Sequence, residues 1–439
     1  MLDKIIQYSF YLLFFLTPLF WTPVNYELFE FNKMLLVYFL TIVIVLTWIL
    51  KMINQKTLIL NRTPLDIPLL LFLGANILST IFSIDTHTSI WGYYSRSNGG
   101  LLSIVSYLLL YWAFVSNMDA PKVLNTLKFG LVSGLIISLW GIAEHFGVSP
   151  SCVILRGEFN ASCWIQDVQS RVFATLGQPN WLAAYLAMLI FPSLYFFLTA
   201  KNRILQTTYY LLLVTSYLAF TFTYSRGPIL GLITGMIVFL ILSFPRRSST
   251  VGMTKRVLIV LATFFLINLL FGSALTNFRL VSKFAPPPRP AISLPTPAST
   301  VTQLEQGGTE SGQIRLIVWK GALEIFKHFP IFGSGVETFA ISYFQFRPQA
   351  HNLVSEWDFL YNKAHNEFLN YLANTGLVGL GTYLIIIITF IIIILKRKGT
   401  DHLLLLSLLA SYLSYHVTNF FGFCVVATAL LFYLFPAFA

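Results

Sequence analysis

Residues 363–398 read KAHNEFLNYLANTGLVGLGTYLIIIITFIIIILKRK, and this stretch decides the fold. From 367 to 395 it is almost wholly apolar, longer than the roughly 20 residues with which an α-helix crosses a hydrocarbon core. Lys396, Arg397 and Lys398 close it at one end, and the cluster Lys-Ala-His-Asn-Glu opens it at the other. Basic residues in short loops mark the cytoplasmic side of a span. The end that carries His365 is therefore expected on the outer face.

Eleven further apolar runs surround this one, near residues 5–20, 34–53, 65–83, 101–118, 123–146, 178–200, 207–224, 228–244, 256–274, 402–416 and 422–438. The fold class that follows is an all-α polytopic membrane protein with about twelve transmembrane helices. Of the 439 residues 56% are hydrophobic and 10% charged, far from the roughly 25% charged that a soluble domain carries. The net charge of +11 does not point to nucleic acid, because the basic residues sit in short loops rather than on one soluble face. With the N-terminus inside, fifteen Lys and Arg fall in cytoplasmic segments against five in short outer loops: Lys33, Arg96, Arg156, Arg171 and Arg226. An even number of spans returns the C-terminus to the cytoplasm. No basic anchor follows the last run before Ala439, so a continuation of the native chain stays open. The run 5–20 has no small-residue cleavage site after it and reads as the first span.

This topology divides the chain into residues 1–275 with nine spans, an outer segment 276–366, and residues 367–439 with three spans. Within the first part, residues 147–177 form a medium outer loop. The large outer loop opens with a stretch rich in Pro, Ser, Thr and Gly, 285–312, expected to be extended and mobile and able to act as a lid. From Gln313 to His328 the pattern predicts an amphipathic helix, with Ile314, Ile317, Val318, Ala322 and Ile325 opposed to Arg315, Lys320, Glu324 and Lys327.

Two constellations can carry chemistry. Ser225-Arg226-Gly227-Pro228 lies between two spans and holds a guanidinium at the outer boundary, where the first turn of the next helix also favours an anion. Arginine meets phosphate with two parallel donors, which lysine does not. The plainer alternative is an interfacial arginine that snorkels to lipid phosphate. In the second constellation His365 precedes a helix on which 365, 369, 372, 376 and 379 share a stripe, its two glycines permitting close helix approach. An outward histidine can accept a proton from a hydroxyl, or simply satisfy a hydrogen bond.

Taken together, H-N followed after nine residues by G-L-V-G, the R-x-x-x-W pair Arg315 and Trp319, the Ser-Arg-Gly turn, and Leu176-Gly-Gln-Pro-Asn180-Trp-Leu-Ala resemble the O-antigen ligase and polymerase superfamily over about residues 90–395. The resemblance implies a metal-independent, membrane-embedded glycosyltransferase that uses an undecaprenyl-diphosphate-linked glycan on the outer face of the bacterial inner membrane. The acceptor is a hydroxyl of a glycolipid, glycan or protein. It further implies that Arg226 and Arg315 hold the diphosphate and that His365 activates the acceptor, with inversion at the anomeric carbon. Gly335 and Phe339 then shape the floor of the outer domain. The single histidine motif leans toward ligase-like transfer. A repeat-unit polymerase, a protein O-oligosaccharyltransferase and a lipid-linked glycan flippase are the alternatives.

Further substrate-binding candidates are Arg171, Asn180, Asn366, Arg347 and Tyr94. Arg171 can reach donor sugar or phosphate, or pair with Asp167 or Glu158. Tyr93, Tyr94 and Arg96 can line an acceptor groove or belong to an aromatic belt. Glu356-Trp-Asp358 has the spacing of a divalent-metal pair without a completed shell, so neither metal nor cofactor is expected. Glu144-His145 is a second possible acid/base pair. His87, His328, His351, His402 and His416 form no pattern. Cys152 and Cys163 share an outer loop where a disulfide can persist or both can stay free, and Cys424 reads as packing. No Walker A, GxGxxG or HExxH motif is present, which speaks against nucleotide and zinc-protease chemistry.

Overall fold

The computed structural model describes residues 1–164, 166–243, 251–277, 311–397 and 402–438. Each of the twelve apolar runs forms a helix: α1 Leu2–Leu16, α2 Glu30–Gln55, α3 Asp66–Ile81, α5 Leu101–Asn117, α6 Ala120–His145, α8 Pro179–Thr199, α9 Arg203–Phe222, α10 Arg226–Ser243, α11 Val251–Phe271, α14 Glu367–Lys396, α15 His402–Phe420 and α16 Val426–Leu434. Shorter helices connect them: α4 Thr86–Trp91, α7 Pro150–Arg156, α12 Ser311–His328 and α13 Phe339–Phe346. Among the described residues there is no strand. Among the described residues, seven helices (α2, α6, α8, α10, α11, α14 and α15) are long and apolar enough to cross a membrane, while α3, α5 and Val426–Phe438 are apolar but shorter. Nearly all of the segment 285–312 lies outside the described residues.

Helix α8 is the axis of the bundle. It is apolar on every side, as a helix without a solvent or lipid face must be, and 89% of its membrane-length window is buried, against 22% for α11. Helix α10 packs on α15 through Gly231 and Gly235, where an added Cβ would lie 2.3 Å from the Ser414 carbonyl oxygen and 2.6 Å from that of Ala410. Small residues at this four-residue spacing let two backbones approach. That contact carries the end of α15 to the start of α10.

The glycine stripe expected in α14 is used differently. The helix starts at Glu367, behind an Asn366 side chain that accepts from the Leu369 N–H at 3.1 Å, so His365 stands just outside it. Gly376 is not helical (φ 64°, ψ −164°). At this break the segment 330–335 enters: Leu377 N donates to the Pro330 oxygen at 2.9 Å and Gly335 N to the Asn374 oxygen at 2.9 Å. Gly376 thus admits the 330–335 loop rather than a second helix.

The segment 311–366 has a core of its own. Ile314, Val318, Ala322 and Ile325 of α12 bury against Phe339, Tyr343, Tyr361 and Ala364, which is the apolar side that the sequence pattern assigns to this helix. Cys152 and Cys163 are joined by a disulfide.

Candidate active site

A cavity of about 790 Å³ opens where α8, α10 and α12 begin. Arg171, Asn180, Arg226, Arg315 and His365 all line it, although they come from four separate stretches of chain. The N-terminal turns of three helices face this space, each with backbone N–H groups that lack an intrahelical acceptor, and each therefore favours an anion.

Arg226 is the first residue of α10, after Tyr224 in a left-handed conformation (φ 46°). Arg171 reaches this turn from the loop between α7 and α8: its Nε donates to the Thr223 oxygen at 3.1 Å, and Nη2 approaches Asn180 Oδ1 at 3.4 Å and Ser225 Oγ at 3.5 Å. These partners replace the expected alternatives Asp167 and Glu158. Desolvation, and then the like charges of Arg315 and Arg226, push the Arg171 pKa down. The Arg315 pKa is also lowered, first by desolvation, with Tyr361 and Glu356 opposing and Arg226 adding to the effect. Three guanidiniums close enough to repel one another describe a site that gains most when an anion enters.

His365 also lines the cavity, with φ 53°, a region that residues other than glycine seldom adopt. Its Nδ1 lies 3.1 Å from the Lys363 carbonyl oxygen. A carbonyl only accepts, so Nδ1 carries the hydrogen and Nε2 keeps a lone pair. The imidazole meets the Tyr361 ring edge-on at 5.3 Å and Phe423 at 5.1 Å. Desolvation, then the Arg315 charge, lower its pKa to about 4. The ring is neutral at physiological pH.

Glu356 also lines the cavity and accepts from the Tyr361 hydroxyl. Among the described residues, no three His, Cys, Asp or Glu side chains gather as a metal cluster. The remaining sequence candidates lie apart from the cavity wall. Asn366 caps α14. Arg347 donates to the Trp357 oxygen at 2.9 Å and to Asn352, bracing the loop that presents Glu356. Tyr94 is 78% exposed and packs on Tyr93.

Several residues of the site carry no sequence signal. Phe423, between α15 and α16, meets the His365 ring edge-on, and the Arg96 guanidinium lies 5.0 Å from both the Phe423 and Trp181 rings. Three buried glutamates hold the loops around the cavity through backbone N–H groups. Glu144 accepts from Ala174 at 2.9 Å and Phe173 at 3.3 Å, Glu367 from Cys424 at 3.0 Å, and Glu30 from Val426 at 2.7 Å. Glu144 is thereby a clamp on the loop between Arg171 and Asn180. His351 bonds the Tyr343 hydroxyl at 2.6 Å and the Glu356 carbonyl oxygen at 3.0 Å, and so supports the same loop as Arg347.

Residues 209–384 match the family model described as O-antigen ligase. The match supports the O-antigen ligase superfamily for this chain. It covers less than half of the sequence but includes Arg226, Arg315 and His365, and it leaves Arg171, Asn180 and Phe423 outside. No curated protein matches the chain. The family carries with it a ligase- or polymerase-type glycosyl transfer, a lipid-linked glycan, an acceptor and a membrane setting.

Proposed function

We propose that the protein transfers a glycan from an undecaprenyl-diphosphate carrier to an acceptor hydroxyl, in ligase fashion, on the outer face of the cytoplasmic membrane. One observation carries this reading. A single cavity holds three arginines together with a histidine whose Nε2 lone pair is free of the bond made by Nδ1.

In this mechanism Arg226, Arg315 and Arg171 hold the diphosphate. The acceptor oxygen attacks the anomeric carbon, a new C–O bond forms, and the bond from that carbon to the phosphate oxygen breaks with its electron pair leaving on the diphosphate. The acceptor proton passes to His365 Nε2. Charge grows on the leaving oxygens as that bond breaks, so preorganised guanidiniums favour the transition state over the bound donor. Attack from the face opposite the diphosphate inverts the anomeric configuration. Asn180 and Gln178, at the start of α8, line the same cavity and are assigned here to donor sugar hydroxyls.

The test is transfer in detergent by purified protein, wild type and His365→Ala, from an undecaprenyl-diphosphate oligosaccharide with EDTA present. Product from the wild type alone is expected. Activity that EDTA stops and a divalent ion restores would overturn the metal-free reading, and donor translocation without transfer would turn it toward a flippase.

A further inference from the structure

Behind His365 lies a second, smaller cavity of about 40 Å³, lined by Glu337, Lys363, Glu367, Asn370 and Asn374 among others. Lys363 and Glu337 form an ion pair on its wall, with side chains only 9% and 6% exposed. Burying two charges is costly, and a bonded pair recovers that cost only in good geometry. Such a pair needs a reason beyond stability, and its position supplies one.

Lys363 contributes two groups to the region. Its ammonium is held by Glu337, and its carbonyl oxygen accepts from Nδ1 of His365 at 3.1 Å. Glu337 is fixed in turn from other parts of the chain. Its backbone is left-handed (φ 60°), its neighbour Val336 accepts from Ser89 Oγ at 2.8 Å, and its carboxylate lies against Gly99, where a Cβ would come within 2.2 Å of Oε1. The ion pair thus links the segment near Gly99, the 334–338 loop and the residue whose carbonyl sets the ring hydrogen of His365.

We propose that Glu337 and Lys363 are positioning residues for the candidate base: the pair pins the Lys363 carbonyl, which keeps His365 as the Nδ1–H tautomer with Nε2 directed to the larger cavity. This rests on the reading of His365 as the proton acceptor. Losing the pair frees the 363–365 backbone from its left-handed turn and lets the ring exchange tautomers or rotate. Binding of the diphosphate, made by the arginines and not by the pair, is untouched.

The full-length protein, labelled with ¹⁵N-histidine and with the His365 signals assigned through His365→Gln, gives a direct readout. Wild type is expected to show one tautomer with an unprotonated Nε2. Glu337→Gln and Lys363→Met are expected to show mixed tautomers and a kcat lower by roughly 10–100-fold, a part of the roughly 10²–10⁴-fold that a positioned acid–base group supplies, with donor KM within about twofold. The double variant is expected to be no worse than the poorer single, since both act through one link, and Lys363→Arg is expected to restore tautomer and kcat together. An unchanged tautomer with unchanged kcat in both folded single variants overturns the proposal. A parallel loss of stability, KM and kcat with the tautomer intact also overturns it, because the pair is then only a structural tie. If His365→Ala itself retains transfer, the reading of the base fails, while the tautomer measurement still decides whether the pair orients the ring.

Discussion

Arg226 stands in the first turn of α10 and Arg315 in the second turn of α12, whereas His365 lies outside the helix it precedes, in a left-handed backbone conformation. The arginine wall is built mainly from long side chains on regular elements, with Arg171 reaching in from a loop. The histidine wall is built from loops held by a buried ion pair, an asparagine cap and aromatic edges. The difference follows from the two tasks. A diphosphate offers many oxygens, so guanidiniums can find it from several rotamers, whereas a base must present one nitrogen in one tautomer.

The largest effect separates the two walls outright. His365→Ala is expected to lower transfer by about 10³-fold, within the range for loss of a positioned base, while leaving donor affinity near wild type. Equal loss of both, measured by transfer and by donor binding on the same preparation, would make the histidine wall structural and erase the contrast. Arg226→Ala and Arg315→Ala are expected to act in the other column. Each should weaken diphosphate binding by roughly 10–100-fold, the worth of a charge-assisted hydrogen bond. Arg171 is already tied to Thr223 and Asn180, so its loss should cost less, about tenfold or below. Unaltered donor affinity in all three variants would remove the arginine wall from the mechanism.

Regular elements were legible in the sequence, and so was the arginine wall. Arg226 follows from a short turn between two apolar runs, and Arg315 from the polar side of an amphipathic pattern whose apolar side, Ile314 to Ile325, buries as the period requires. His365 was legible as a residue standing just before a span. The supports of the site were not. Phe423 and Glu337 near His365, and Glu144 on the loop between Arg171 and Asn180, act across distances in sequence that no local period encodes, and a carboxylate that binds a distant backbone N–H looks like any other carboxylate at a helix end. Gly376 shows the same limit: spacing marked it as a place of close approach, but only the three-dimensional structure shows the 330–335 loop entering there. Asn366 was read as a ligand for substrate, yet a side chain that accepts from the N–H three residues on is committed to its helix.

Acidity offers a finer test of the contrast. The His365 pKa lies at about 4, below its ordinary value near 6.5, through desolvation first and the Arg315 charge second. The base works when neutral, so kcat/KM, which reports the free enzyme, should stay level from pH 8 down to about 5 and fall only as pH drops toward that pKa. Bound diphosphate offsets the arginine charges that disfavour the imidazolium. With donor saturating, the acidic limb of kcat should therefore sit at higher pH than that of kcat/KM. Coincident limbs near 6.5 in both profiles would mean that the arginines do not act on the histidine.

The smallest expected effect concerns a part of the site that has two independent restraints. The disulfide between Cys152 and Cys163 closes a short loop, and a cross-link of that span contributes roughly 2–3 kcal/mol by restricting the unfolded chain. Replacing both cysteines with serine should lower the unfolding temperature. Transfer should change by less than about twofold, because Trp164 still donates to Ser151 at 2.9 Å and still packs on Phe29 and Phe173, the order of the interactions that remain being comparable to what is lost. Arg171, farther along, keeps its bonds to the α9–α10 turn. A large loss of donor affinity in this variant, at a temperature where it is still folded, would show that the loop between α7 and α8 positions Arg171 as strictly as the Lys363 segment positions His365, and the two walls would then differ in chemistry but not in how they are held.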